Sequence, residues 1–220
     1  NSEYAPGKQP DECPSGFRNS YADLDVNGPE VQATFRDMID NDVAMTSTLA
    51  VYEISVSERP PIDERVFEML APEIAEEVRE ISIQRREGRG AIDPELFAKA
   101  MEYERAFVDA GGLLGAGVDP TGYGAAPPGL GDQRNYELLL EAGFSAPEVV
   151  QIMSANGAKV LGIDEDVGTV EAGKVADLVV IEGNLEAVGN LHGTKIVFRH
   201  GTGWDSAKLI DSIRGIVGIR

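Results

Sequence analysis

One cysteine and two histidines are all that 220 residues offer in thiol and imidazole groups. With Cys13 alone, no internal disulfide can form, and the redox compartment is left open. The thiol sits in a loop-like stretch with no partner histidine and is expected to be inert. No apolar run approaches the ~18 residues of a membrane-spanning helix. Positive charge is scarce as well: 19 Lys and Arg stand against 38 Asp and Glu, for a formal net charge of −19. The excess is steeper over residues 1–110, with 24 acidic and 11 basic side chains, than over 111–220, with 14 and 8. Such a surface repels nucleic acid and anionic membrane, so neither is expected as a partner. Missing too are the Gly-x-Gly-x-x-Gly and Walker spacings of phosphate cradles, and any His-x-His or His-Glu-x-x-His pair. Without a Gly-x-Ser-x-Gly elbow, Thr46-Ser47-Thr48 does not read as a nucleophile. The chain opens on Asn1-Ser2-Glu3-Tyr4 with no initiator methionine or signal peptide, and reads as the middle of something longer. The compartment therefore stays open, with the cytoplasm as the expectation.

What is present is ordinary for a globular protein: 42% hydrophobic and 26% charged residues, enough chain for a real core. Residues 1–28, rich in Pro, Gly, Asp, Asn and Ser, read as a long loop. Val31, Phe35, Met38 and Ile39 have helical spacing over 30–41, and the apolar, β-branched run 42–51 suits a buried strand. Residues 53–110 are charged and mostly helical. Asp63 is placed to cap one helix, and 71–86 continues with Ile74, Val78 and Ile81. Asp93-Pro94-Glu95 opens another helix, with Asp at the N-cap and Pro at the first position. Leu113 to Val118 reads as a second buried strand, 121–130 as a Gly- and Pro-rich loop, and 132–142 as a helix. Ser145 and Glu148 have capping-box spacing, and the helix they open is expected to stop near Asn156-Gly157. Short strands follow at 175–181 and 195–199, and a short amphipathic helix at 206–213.

The richest segment is Gly115-Ala116-Gly117-Val118-Asp119-Pro120-Thr121-Gly122, in which a small apolar strand delivers one carboxylate into a tight turn. Parallel barrel strands present reactive groups in this way, at their C-terminal ends. Further on come Glu137-Leu138-Leu139-Leu140-Glu141-Ala142-Gly143 and Ser154-Ala155-Asn156-Gly157-Ala158-Lys159-Val160-Leu161-Gly162. The most specific stretch is Gly168-Thr169-Val170-Glu171-Ala172-Gly173-Lys174-Val175-Ala176-Asp177-Leu178-Val179-Val180. Taken in this order, roughly 100 residues resemble the C-terminal part of the metal-dependent amidohydrolase superfamily, nearest its imidazolonepropionase-like and prolidase-like members.

The resemblance implies an α/β fold: the C-terminal part of a (β/α)8 TIM-type barrel, incomplete, plus a small β-sandwich element. Residues 1–165 would be the barrel portion, 166–203 a composite β-sandwich element and 204–220 a C-terminal helix and tail. Residues 45–50 would be the seventh barrel strand and 113–118 the eighth. The family binds one or two divalent metals through a His-x-His pair, a Lys or Glu, two further His and an Asp on the eighth strand. Asp119 falls on that last position, as metal ligand and proton shuttle. The other ligands have no counterpart in this sequence, because His192 and His200 lie in the terminal β element and read as surface or packing residues.

The implied activity is hydrolysis of a C–N bond in a small amide, peptide or cyclic amide by metal-activated water, with zinc the expected metal. This chain alone is expected to hold metal weakly or not at all and to be inactive. Tyr123 and Arg134 are candidate substrate contacts beside the glycine-rich loop. Glu171 to Lys174 and Asp177 read as structural. The competing reading is a non-catalytic half-barrel whose exposed strand edges pair in a homo-oligomer.

Overall fold

A computed structural model describes residues 11, 24–88, 91–120, 122–186 and 190–218. Cys13, Thr121 and most of the N-terminal loop expected from the sequence lie outside them.

Helix α1 (Pro29–Asp40) turns Val31 and Phe35 inward. Phe35 meets the rings of Tyr103 and Phe107 edge-on, at centroid distances of 4.8 and 5.4 Å, and so clamps α1 onto α5 (Pro94–Asp109). Between them runs β1 (Met45–Ser47), which pairs in parallel with β2 (Leu114–Ala116) in the register Met45 to Leu114 and Ser47 to Ala116. Parallel neighbours need a long crossover, here supplied by helices. These are α2 (Leu49–Glu53), α3 (Glu64–Met69), α4 (Pro72–Glu87) and α5.

The strand expected over 42–51 is thus cut to three residues, and its second half is helix. Asn135 explains the break: its Oδ1 accepts from Ala50 N–H at 3.1 Å, holding the chain in a turn that a strand would straighten. Asp93 caps α5 by accepting from Glu95 N–H at 2.7 Å, and Asp63 caps α3 through Arg65 N–H at 2.9 Å. Both caps match the sequence reading.

After β2 the chain enters α6 (Leu130–Glu141) and α7 (Ala146–Gln151). Glu148 accepts from both the backbone N–H and the hydroxyl of Ser145, at 2.8 and 2.7 Å, completing the expected capping box. The expected stop at Asn156-Gly157 does not occur. The helix widens into a π-helical turn, Ile152–Asn156, and resumes as α8 (Gly157–Leu161). It ends at Gly162, whose φ of +68° suits a residue without a side chain.

A three-stranded antiparallel sheet, β3 (Leu178–Ile181), β4 (Thr194–Arg199) and β5 (Thr202–Asp205), makes the terminal element, with α9 (Ser206–Ile213) against β4 and β5. The strand expected from 175 begins at Leu178, and β5 adds a strand the sequence reading lacked. Among the described residues the element is one three-stranded sheet with a helix against it. Beyond α9 the chain returns to the body: Val217 N–H donates to Met69 O at 3.0 Å, and Ala71 N–H donates to Val217 O at 2.9 Å. The main core gathers Leu49, Ile54, Val56, Phe97, Leu114, Leu138, Leu139 and Val149 around the strand pair.

Candidate functional site

The C-terminal ends of β1 and β2 are fixed together. Gly117 N–H donates to Ser47 O at 3.0 Å, and the Asn135 amide reaches the same carbonyl at 3.4 Å. On the far edge of β2, Asn156 from the π-turn donates to Leu114 O at 2.8 Å. Past this clamp Val118 is buried and Asp119 is exposed. Asp119 has a φ of +46°, a left-handed conformation that Asp tolerates better than most side chains. Val118 is seated by Gly131 on α6, where a Cβ would come within 2.1 Å of Val118 Cγ2. The carboxylate at the end of β2 therefore stands on a well-anchored turn and points into water.

The sequence suggested Tyr123 and Arg134 beside it. The structure brings those two to one place, the C-terminal end of α2. Tyr123 donates its hydroxyl to Ile54 O at 2.8 Å, and burial pushes its phenol up. Arg134 forks onto Glu53, both bonds 2.7 Å, and reaches Glu137 at 2.6 Å. Burial raises the Glu53 carboxyl, but hydrogen bonds and charge from Arg134 and Arg59 outweigh it and hold Glu53 below the usual carboxylate range. Arg59 also forks onto Glu141, both bonds 2.6 Å. Glu53, Arg134 and Glu137 line a pocket of about 230 Å³, together with His192. His192 Nε2 lies 2.6 Å from Arg65 Nη2, which donates to it, and 3.5 Å from Glu137 Oε1. No hydrogen bond or ion pair joins Asp119 to this group among the described residues.

His200 occupies a turn at φ +48°, where its backbone N–H donates to Asp177 Oδ1 at 2.7 Å. Asp177 also binds Arg199 and acts as the structural residue its sequence context suggested. Lys174 likewise closes its turn, donating to Asp164 O at 2.6 Å and Thr169 Oγ1 at 2.7 Å.

Sequence reasoning missed Glu104. It lies on α5 among Phe97, Met101 and Phe107, on the buried face of the helix. An acid at that helical register was the available signal. Burial pushes its carboxyl up to about 7, and the neighbouring Ser47 hydroxyl moderates the rise.

The donor set does not fit a divalent metal. Among the described residues no three His, Cys, Asp or Glu side chains cluster as ligands, and Asp119 stands alone. A site of three or four ligands is the minimum such an ion requires.

Residues 105–205 match the Amidohydrolase family, so the resemblance drawn from the sequence holds for that segment. An imidazolonepropionase of Bdellovibrio bacteriovorus is 30% identical over 105 residues, covering 44% of this chain and 23% of that protein. The crystal structure of an amidohydrolase superposes on 79% of this chain and 37% of its own, with a TM-score of 0.54 at 18% identity. A Xaa-Pro dipeptidase with methionine in its active site gives a TM-score of 0.53 at 20% identity, covering 79% and 37%. A prolidase complexed with N-methylphosphonate-L-proline gives 0.52 at 22%, covering 79% and 38%. The chain thus has the mixed α/β architecture of the amidohydrolase fold and spans about a quarter of its curated relative and well under half of each structural neighbour.

Proposed function

We propose that this chain supplies the C-terminal portion of a hydrolase that cleaves a C–N bond, with Asp119 as its proton-transferring carboxylate. The observation that carries the reading is the position of Asp119, on a clamped turn after a parallel strand, within the segment that matches the Amidohydrolase family. Hydrolysis of an amide requires that water lose a proton as its oxygen attacks the carbonyl carbon. It also requires that nitrogen gain a proton as the C–N bond breaks. A carboxylate held on a rigid strand end can take the first proton and deliver it to the leaving nitrogen. Tyr123 and Arg134 serve by fixing the loop and α6 against α2, which shapes the wall on that side. A dipeptidase and a prolidase among the structural neighbours make a dipeptide ending in proline the first substrate to try.

The zinc that the superfamily resemblance implies would need ligands from outside the described residues, and no step is derived through it. On this reading the chain by itself does not turn over substrate. Purified chain, with and without added zinc, is expected to leave an Xaa-Pro dipeptide and an N-acyl amino acid intact. Turnover by the chain alone would overturn the fragment reading. In any active assembly that contains the chain, Asp119→Asn is expected to lower kcat by about 10²–10⁴-fold, and an unchanged kcat would remove Asp119 from the chemistry.

One observation favours a second reading. Among the described residues each strand of the β1–β2 pair has a strand partner on one side only, and since Asn156 already occupies Leu114 O on the outer edge of β2, the edge left to offer backbone groups to another strand is that of β1. Light scattering decides whether the chain self-associates. A monomer at high concentration would remove this reading and leave the first.

A further inference from the structure

Two buried oxygens, one on β1 and one on α5, lack a hydrogen-bond partner among the described residues. Ser47 is fully buried and Glu104 is 9% exposed. The two side chains are neighbours, yet neither Ser47 Oγ nor Glu104 Oε2 completes a hydrogen bond among the described residues. A buried polar atom left open costs stability, so such a pair in a native core calls for a reason.

Among the described residues the surroundings offer no counter-charge. β1 contributes Met45, Thr46 and Ser47, and β2 contributes Leu114, Gly115 and Ala116, none of them charged. From α1 the facing residues are Val31 and Phe35, while Glu30, Arg36, Asp37 and Asp40 are exposed. From α2, Glu53 is held by Arg59 and Arg134. On α5 itself, Lys99 pairs with Glu102, and Arg105 pairs with Asp109 and with Glu148. Tyr103 packs on Phe35.

We propose that Glu104 and Ser47 form a proton-operated switch beneath the β1–β2 strand ends. With Glu104 neutral, its O–H donates to Ser47 Oγ, and both open oxygens are closed. When the carboxyl loses its proton, the Ser47 hydroxyl turns to donate instead, and an uncompensated charge remains in the core. Water must then reach it, or α5 must move off the strands. Ser47 is also the residue whose carbonyl receives Gly117 N–H and the Asn135 amide, so the strain arrives at the clamp that holds the turn before Asp119.

The raised proton affinity of Glu104 agrees with this geometry and sets the window. The folded state keeps the proton up to about pH 7, whereas the unfolded chain releases it near the ordinary 4.5. Between those values the native state binds more protons, and stability falls as pH rises, by up to about tenfold in the folding constant per pH unit. Above both values the loss is complete and no longer grows.

The test is urea unfolding of the full chain and of Glu104→Gln across that window, with the carboxyl ¹³C resonance of Glu104 followed in parallel. The wild type minus Glu104→Gln difference is expected to grow against the wild type from about pH 5 to about pH 7, with the Glu104 resonance titrating near 7. Exchange of the Gly117 amide, corrected for its intrinsic pH dependence, is expected to quicken about tenfold over the same span in the wild type and not in the variant. A pH-independent difference, or a carboxyl titrating below about 5, would show Glu104 already charged and overturn the switch. Equal Gly117 exchange in the two proteins would overturn its link to the strand ends. If Glu104→Gln does not fold, the wild-type resonance decides by the same criterion.

Discussion

At the scale of single residues, two buried glutamates pull stability in opposite directions with pH. Glu53 is held below the usual carboxylate range by Arg134 and Arg59. Its contribution is present above the unfolded value of 4.5 and is lost as pH falls through the lower folded value. Glu53→Gln is therefore expected to lose stability at neutral pH and to flatten the acid limb of an unfolding curve, whereas an acid limb like that of the wild type would show the pairs to be inert. Asn156 is a simpler case. Its amide satisfies the buried carbonyl of Leu114, and Asn156→Ala leaves that acceptor open, at a cost of about 1–3 kcal/mol in urea unfolding. Neither role was legible in the sequence. Asn156 lies 42 residues from Leu114, and Arg134 lies 81 from Glu53, so these contacts depend on how the helices pack, which spacing along the chain does not encode. The position of Asp119 just past a strand end was legible because strand, turn and carboxylate are contiguous in sequence.

At the scale of elements, locally determined features came through and cooperative ones did not. The caps at Asp93 and Ser145 need only residues within a turn of each other, and both stand as read. Asp93→Ala is expected to cost about 1 kcal/mol, measured as the shift in urea midpoint at constant slope. The break of 42–51 into strand and helix escaped the pattern because a short apolar, β-branched run suits either state until a distant partner, here Asn135, selects one. The π-turn at Ile152–Asn156 escaped it for a similar reason. Its residue types are ordinary helix formers, and the extra residue per turn becomes favourable when it aims Asn156 at β2. Gly131 on α6 marks the tightest approach of two elements near the site. Gly131→Ala would drive a methyl into Val118 and is expected to cost about 1–3 kcal/mol, with the turn carrying Asp119 displaced.

At the scale of the whole molecule, the terminal sheet is set apart from the core. None of its strand residues belongs to the main buried cluster. Its contacts with the body include the Tyr136 hydroxyl on Leu185 O at 3.0 Å and the Arg65 to His192 contact at 2.6 Å. Trp204, the single tryptophan, lies on β5 and is 52% exposed. Its fluorescence is expected to change at lower urea than the helical circular dichroism signal, as a region of low local stability does; coincident transitions would show one cooperative unit instead. The return of Val217 to Met69 and Ala71 gives this arrangement a further property. The sheet hangs between two fixed points, the end of α8 and the strand-like contact at Val217. A tether anchored at both ends confines its load to a small volume and keeps its effective concentration at the docking surface high. Removing residues beyond Ile213, which takes away the Arg214 to Glu68 ion pair as well, would leave a single tether, and the sheet would re-dock from a much larger volume although none of its own contacts with the body had been touched.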